Sequence, residues 1–491
     1  MKFIKYILVV FHIFSFYSCQ NDIQLAKALE LSGNNRKELE KVLEYYKSDK
    51  DKRRAARFLI CNMVCHYSYR DILYSPNNTS YELSPNIKKI NIVLDSLKKE
   101  GYTKRTIVSK DIESVKADFL IENIDLAFLV WQKPWANKLS FNDFCHYILP
   151  YRSGDHPISN LRRKLMHQYI PYLESLSVTT PLEACDAINK LLIGELSFIG
   201  TLPIHLTISQ VDLLRSGNCG SISSYVTFLM RALGIPVSED VTVWTKAGYG
   251  HSWCVVLDEN GHSHPFAPAE ALIKDYFDHL TKGSMLPAKV YRLTFEPVIQ
   301  TIECPDDGMS TFLKNAFYRD VTKEYSTPVT TISVKLDSLL IHKRHFAYLC
   351  AYNMGKWKEI ALGECSNGYC KIKNVVGDNI FRIARAQNGI LAYMTDPFYV
   401  NMKGNISYFS SDTVCTKEVT LCKPRFYRGF HHWGGYWNMD SHLFQKVPTI
   451  AETDSTLTCR FPNNALIIMG TRWLNWQQRI YLMREDSVYK Y

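Results

Sequence analysis

The spacing of apolar residues divides the chain into three regimes. Up to about residue 195, apolar positions recur every three and four residues, the period of helices with one buried face. Leu25, Leu29 and Leu31 begin one stripe, and Leu39, Val42, Leu43 and Tyr46 follow on a helix that Asn34 or Asn35 can cap. Ala55, Phe58, Leu59, Met63 and Val64 give a third. Ser84-Pro85 reads as a cap residue followed by proline at the first helical position. Ser109 is expected to open a long helix through Ile112, Val115, Phe119, Leu120, Ile124 and Phe128. Ser140 with Asp143 opens another, and residues 157–178 give one more. Trp131, Trp135 and Phe141 read as helix core, with the lining of a cleft as the alternative.

Between about 181 and 300 the period is mixed. Pro181 to Phe198 is expected to be one helix, and a second follows Asn218. Alternation then takes over in Val241–Trp244 and His251–Leu257, with Asp258-Glu-Asn-Gly261 as a hairpin turn between strands. From about Tyr325 the pattern is all-β. Val329–Leu336, Phe346–Tyr352, Tyr369–Val375, Asn379–Ala386 and Ile390–Met394 are short, regularly spaced strands, which predicts a β-sandwich region. The expected class is therefore multidomain. A helical N-terminal region (19–180) precedes an α+β core (181–300), a connector (301–324) and an all-β region (325–491) that either continues or divides near 411.

Composition supports a folded, multidomain chain. At 491 residues it is long enough for about three domains. The apolar share of 46% and charged share of 22% exclude a disordered or rod-like chain. Beyond the first eighteen residues no apolar run is long enough to span a membrane. The formal net charge of +10 is spread thinly. Its densest runs, Lys50-Asp-Lys-Arg-Arg54 and Leu161-Arg-Arg-Lys164, read as solvated helix faces, so no nucleic-acid partner is expected.

The first eighteen residues read as a signal peptide. Lys2 and Lys5 precede an apolar core from Ile7 to Phe16, and small Ser18 precedes Cys19. Cys19 is thus a candidate lipidation site. A lipid-anchored protein of the outer membrane would follow, facing the periplasm or the cell surface, since more than one acyl chain gives a stable anchor. Export permits disulfides among the remaining thirteen cysteines, with Cys61/Cys65, Cys365/Cys370 and Cys415/Cys422 as near-neighbour candidates. No spacing resembles a zinc site, and no metal or cofactor is expected. The aromatic run Phe426–Trp437 offers Trp433 and Trp437 as weak candidates for stacking a ligand, with β core as the plainer reading. His431 and His432 are adjacent on a strand and point opposite ways, which argues against a metal pair.

The informative stretch is Gly217-Asn-Cys219-Gly-Ser-Ile-Ser-Ser-Tyr-Val-Thr-Phe-Leu-Met-Arg-Ala-Leu-Gly234-Ile-Pro236. Ile222, Tyr225, Val226, Leu229 and Leu233 keep helical spacing, Gly234 is placed to end the helix, and Pro236 forbids its continuation. Cys219 therefore starts a buried helix, where free N–H groups and the dipole favour a thiolate nucleophile. His251 opens the alternating strand, whose period puts His251, Trp253, Val255 and Leu257 on one face. If that strand packs beside the helix, imidazole can meet thiol.

The run "GNC…LMRALGIP" followed by "GHSWCVVL…NG…HPF" resembles the transglutaminase-like superfamily, which uses papain-like Cys–His–Asp chemistry. The resemblance covers about residues 181–272. It implies Cys219 as nucleophile and His251 as base. The family's Asp normally sits in a Phe-Asp-Pro type stretch, where this chain has Phe266-Ala267-Pro268. Losing that orienting carboxylate costs about 10⁴-fold in the serine-protease template. Glu270 is a weak substitute that needs a bend in the chain. Asp258 lies at the hairpin end, and His264 supplies no negative charge. The stretches "ALELSGNNRKELEKVLEYYK", "AARFLICNM" and "LSFNDFCHYILPYR" resemble the N-terminal half of transglutaminase-like lipoproteins of gut Bacteroidetes. The resulting expectation is a cysteine-dependent amide hydrolase acting through a thioester on Cys219, with peptide, glycopeptide or glycan as partner. The alternative is a catalytically degraded relative that binds peptide or glycan.

Overall fold

A computed structural model describes residues 22–490 apart from 82, 84–89, 201, 203, 246–249, 277–286, 299–312, 314, 327, 337–344, 354, 388, 424–427, 472–478 and 485–486. The leader, Cys19 and the Ser84-Pro85 helix start lie outside these residues. The chain divides into two compact units. One is formed by the described residues within Met1–Asp240, Ser252–Phe277 and Leu293–Val298, and the other by those within Val241–His251, Asp278–Arg292 and Ile299–Tyr491. No helix of the described residues is long and apolar enough to cross a membrane.

The first unit begins with helical residues 22–31, α1 (Arg36–Tyr45) and α2 (Lys50–Asn62). Asp49 caps α2 by accepting the Lys52 amide, and Leu39, Val42, Ala55 and Leu59 line the buried side. Three strands interrupt the expected run of helices. β1 (Tyr67–Tyr74) pairs antiparallel with β3 (Thr103–Lys110) and, at its end, with β2 (Ser80–Tyr81). Ser109 therefore lies inside β3 and opens no helix. The β-branched and aromatic residues of both segments favour the pleated ladder, and every residue of β3 is exposed, so no buried face imposes a helical period there. A short helix, α3 (Asp111–Ser114), and α4 (Ala117–Trp131) replace the single long helix expected. α5 (Phe141–Tyr147) starts at Ser140, whose hydroxyl accepts the Asp143 amide as expected. Trp135 is buried, and Trp131 stacks on Phe144, so these rings belong to the core.

α6 (Arg162–Ser175) corrects the reading of the 161–164 basic run. Arg162 is buried and donates to the Asn123 carboxamide oxygen at 2.7 Å and to the carbonyl of Arg231 at 3.1 Å. Burial pushes its guanidinium down to about 9. α7 (Pro181–Leu192) has a complete capping box at Thr180 and Glu183. It stops earlier than expected: Gly194 takes φ +85°, and Ser197–Phe198 (β4) turn into a short parallel pair with Ser216–Gly217 (β5).

α8 (Ile208–Leu214) leads through Arg215, in the left-handed region, to α9 (Cys219–Ala232). α9 is buried from Ser221 to Ala232 and belongs to one large apolar cluster with α4, α6 and α7. Its C-terminus follows the expectation. Ile235 N–H donates to the Met230 carbonyl at 2.9 Å, and Gly234 has φ +80°. β6 (Val237–Val243), β7 (Gly250–Leu257), β8 (Ser263–Phe266), β9 (Tyr291–Leu293) and β10 (Tyr318–Asp320) form a sheet in the order β10-β9-β6-β7-β8.

The second unit is rich in sheet. β11 (Thr330–Lys335), β12 (His345–Asn353), β13 (Lys356–Ser366), β14 (Tyr369–Val375) and β15 (Asn379–Gln387) belong to one eight-stranded sheet. Four of these were legible as alternating runs. β13 was not: its sequence KWKEIALGECS carries charges on both sides of the pleat. Beyond 411, two further sheets enclose a separate apolar cluster that includes Leu421, Leu457, Phe461 and Ile467. All described cysteines are free thiols. Cys415 and Cys422 lie along one strand (Asp412–Cys422), about 23 Å apart at ~3.3 Å per residue, which corrects their pairing as a disulfide candidate.

Candidate functional site

Cys219 is the first residue of α9. Asn218 caps the helix, its side-chain oxygen accepting the Ser221 amide at 2.9 Å. Gly217 makes a tight entry to the helix: a Cβ there would come within 3.1 Å of the Ser221 side chain and 3.3 Å of the Ile222 side chain. This tight entry leaves the Cys219 side chain partly exposed while the next turn is buried.

The backbone N–H groups of Ser252, Gly220 and Cys219 itself lie close enough to the Cys219 sulfur to act on its ionisation. They favour the thiolate, as the helix start predicts. Burial acts the other way and wins. It pushes the thiol up from its ordinary value, and the nearby Glu239 charge adds to that. The helix start alone therefore does not make a low-pKa cysteine here.

Strand alternation in β7 holds, and the structure shows which set meets the helix. Cys254 contacts α9 through the Ser223 carbonyl at 3.4 Å and the Thr227 hydroxyl at 3.5 Å. Cys254 and Val256 join the apolar cluster around α9. Ser252, on the same face by alternation, turns its hydroxyl to Glu239. His251 precedes Ser252 in β7 and stacks on Trp244 with ring centroids 5.7 Å apart and planes at 20°. Gly250 lets β7 begin close to β6, since a Cβ there would lie 2.9 Å from the Thr242 carbonyl oxygen.

The residue that sequence reading missed is Glu239. It is buried on β6, and both carboxylate oxygens are engaged. One accepts from the Ser252 hydroxyl and the other from the Ser224 hydroxyl of α9 at 2.7 Å. Burial pushes its carboxyl up to about 7. The sequence carries no signal for it: Ser238-Glu239-Asp240 is polar, and only in the folded chain is every residue from Val237 to Thr242 buried.

The other candidates are placed as follows. Ala267 is buried, and its carbonyl accepts the Asn189 carboxamide at 3.2 Å. The chain bends at this point: Ala269 has φ +60°, and its amide donates to the Asn189 side chain at 2.8 Å. Glu270 sits at that bend, is exposed, and lies within charge range of Tyr276. Burial first, then the charges of Glu270, Cys254 and Cys219, push the Tyr276 phenol up. Asp258 and His264 are engaged with each other at 3.2 Å, and Asp258 also accepts the His262 amide at 2.8 Å. In the second unit Trp437 is buried, with its indole N–H on Asp396 at 3.0 Å and Arg382 4.6 Å from its ring. It offers no free face for stacking. Trp433 is partly exposed and carries the Lys446 ammonium 4.9 Å from its centroid. Among the described residues no three His, Cys, Asp or Glu side chains are grouped to hold a metal.

In comparisons with known proteins, no family model and no curated sequence matches this chain. Solved structures do match. A protein described as a candidate cysteine protease from Cytophaga hutchinsonii is 18% identical over 23% of this chain, with a TM-score of 0.20. This chain spans 38% of that protein's length. Red sea bream transglutaminase is 8% identical, with 78% of this chain and 76% of that one covered and a TM-score of 0.22. With identities and superpositions this low, the functional reading rests on the site's own geometry.

Proposed function

We propose that the protein is a transglutaminase-like cysteine hydrolase that cleaves amide bonds of a peptide or glycopeptide, exported and anchored through a lipid on Cys19. The observation that carries this reading is a partly exposed cysteine as the first residue of a helix capped by Asn218, with the backbone N–H groups of Ser252 and Gly220 near its sulfur. In this reading the same donors also stabilise the oxygen of the tetrahedral intermediate.

In this mechanism the Cys219 sulfur adds to the amide carbonyl carbon, and the thiol proton passes to His251. The C–N bond breaks as His251 returns that proton to the leaving amine, which leaves a thioester on Cys219. Water then adds to the thioester, His251 takes its proton, and the C–S bond breaks to release the acid and restore the thiol.

The test is acyl-enzyme trapping. Wild type is incubated with a panel of peptide and glycopeptide amides, quenched in acid and digested. An acyl group on the Cys219 peptide, absent from Cys219→Ala, supports the reading, together with loss of hydrolysis in both Cys219→Ala and His251→Ala. Ala267 favours a second reading, a binding module on a degraded site. Saturable binding of the same panel, with no adduct and no hydrolysis, would establish it in place of the first.

A further inference from the structure

A buried polar cluster joins the helix that Cys219 begins to the sheet: the Glu239 carboxylate with the hydroxyls of Ser224 and Ser252. Glu239, Ser224 and Ser252 are each buried, and each comes from a different element, β6, α9 and β7. Ser252 also turns its backbone N–H to the sulfur. One residue thus bonds the carboxylate through its hydroxyl and has its amide near the thiol. The Glu239 side chain spans from that residue to Ser224, inside the helix that Cys219 begins.

We propose that Glu239 is a positioning residue for Cys219: through Ser252 and Ser224 it holds the Ser252 amide on the sulfur, and its charge state sets how readily the thiol ionises. The inference deepens the proposed function and rests on Cys219 being the reactive group.

The groups that face Glu239 give the direction. From α9 come Ser224 and the Arg231 guanidinium, and from β7 come Ser252 and the Cys254 thiol. From the loop before α6 comes the Asp155 carboxylate, and from the helix start comes Cys219 itself. Asp240 follows on β6 and points to its other face by alternation. Burial and Asp155 oppose the charged form of Glu239, while the two serine hydroxyls and Arg231 support it. A protonated Glu239 puts no charge beside the sulfur. An ionised one puts a negative charge there, and the thiol holds its proton more tightly.

The experiment is the alkylation rate of Cys219 by iodoacetamide, read on the Cys219 peptide by mass spectrometry from pH 5 to 10. It needs no substrate and no turnover, so it separates this inference from the hydrolase reading: a binder with no activity would still show the coupling. In wild type the log rate should rise with pH, bend near neutrality as Glu239 ionises, and rise again. Glu239→Gln should abolish the bend and raise the rate at pH 8 by about 3- to 10-fold, tenfold being one pKa unit. Glu239→Asp should restore the bend. A merely structural role would move none of these. A single-ionisation wild-type profile overturns the inference even if Glu239→Gln fails to fold, and so do superimposable profiles for wild type and a folded Glu239→Gln.

Discussion

Ser252 donates its hydroxyl to the carboxylate of Glu239 in a bond between neighbouring strands, β7 and β6. The partner oxygen of the same carboxylate reaches Ser224 on α9. A buried acid would ordinarily be an expensive group to keep, because an unpaired charge loses its hydration. Here two hydroxyls satisfy both oxygens and the proton is held close to neutrality, so the cost falls only where the carboxyl must ionise.

That gives a pH signature in stability. Burial raises the Glu239 carboxyl to about 7 in the folded chain, whereas an unfolded glutamate titrates near 4.3. Between these values the native state binds more protons than the unfolded state, so stability falls as pH rises and levels off above the folded value. The loss is at most about 4 kcal/mol, at 1.36 kcal/mol per pKa unit. Glu239→Gln lacks the titration. Urea denaturation at pH 4.5, 6 and 8 should therefore show wild type losing stability relative to Glu239→Gln across both intervals. Curves that stay parallel would mean that the acid is already ionised at low pH.

Asn218 tests the helix start. Its side chain satisfies the Ser221 amide at 2.9 Å, one of the orphan donors of the first turn. Asn218→Ala should cost about 1 kcal/mol of stability. It should also slow Cys219 alkylation at constant pH, because fraying of the first turn swings the Gly220 amide off the sulfur. Asn218→Asp, a competent cap, should restore the stability but put a charge beside the thiol and move its ionisation upward. If Asn218→Ala alkylates at the wild-type rate, the cap does not position the site.

Much of this site was legible in advance. Helical spacing from Ile222 to Leu233, a capping asparagine, Gly234 and Pro236 locate α9 and put Cys219 at its start, because the backbone rules for helix ends act over a few residues. The alternation of β7 was equally local. What could not be read was which face of β7 meets the helix. Both sets are buried, and a strand covered on both sides carries no polar face to mark its outside. Glu239 escaped for a related reason: Ser238-Glu-Asp240 looks like solvent-facing turn chemistry, and only the tertiary packing of β6 buries it. Ser109 went astray because a cap residue before an apolar stripe is a weak signal where an antiparallel partner, β1, is available. Arg162 shows the same limit, since a basic run says nothing about which of its members turns inward to carbonyls.

Gly234 is a second place where sequence and structure agree on a mechanism. Its φ of +80° suits glycine, and a Cβ would approach the Val130 carbonyl oxygen to 2.8 Å. Replacement by alanine meets both penalties. The left-handed conformation alone costs roughly 1–2 kcal/mol, and relieving the clash requires α4 and the end of α9 to separate. Gly234→Ala should therefore lower thermal stability by more than Gly261→Ala, where φ is +81° but nothing lies within 4 Å of the added Cβ. Equal losses in the two variants would leave the close approach to Val130 without energetic weight.

Cys365 and Cys370 allow the sharpest chemical prediction in the second unit. They are directly opposite each other in the β13–β14 hairpin, next to the closing pair Ser366–Tyr369. The two-residue loop has φ 51° at Asn367 and 76° at Gly368, as a type I′ turn requires. In such a hairpin the closing pair exchanges hydrogen bonds, so the next pair, Cys365–Cys370, is the non-hydrogen-bonded one with Cα atoms about 4.5 Å apart. That lies inside the range a disulfide spans. The Cys370 thiol hydrogen-bonds to Cys365 and holds it below the ordinary thiol value, while Cys370 is pushed up. Cys365 is therefore the attacking thiolate. Treatment with oxidised glutathione should first form a mixed disulfide on Cys365, releasing one glutathione thiol. Attack by Cys370 then releases the second and closes the bridge. Both thiols are buried, so the reaction should proceed at the rate of hairpin opening and speed up in mild urea. Peptide mapping should show Cys365 linked to Cys370 with the loss of two hydrogens. The linked form should unfold at higher urea than the reduced one by little, because the closed loop is short and the hairpin already restrains it. Exclusive linkage of either residue to Cys350, also buried in the same sheet on β12, would show that the register is not the one that places Cys365 against Cys370.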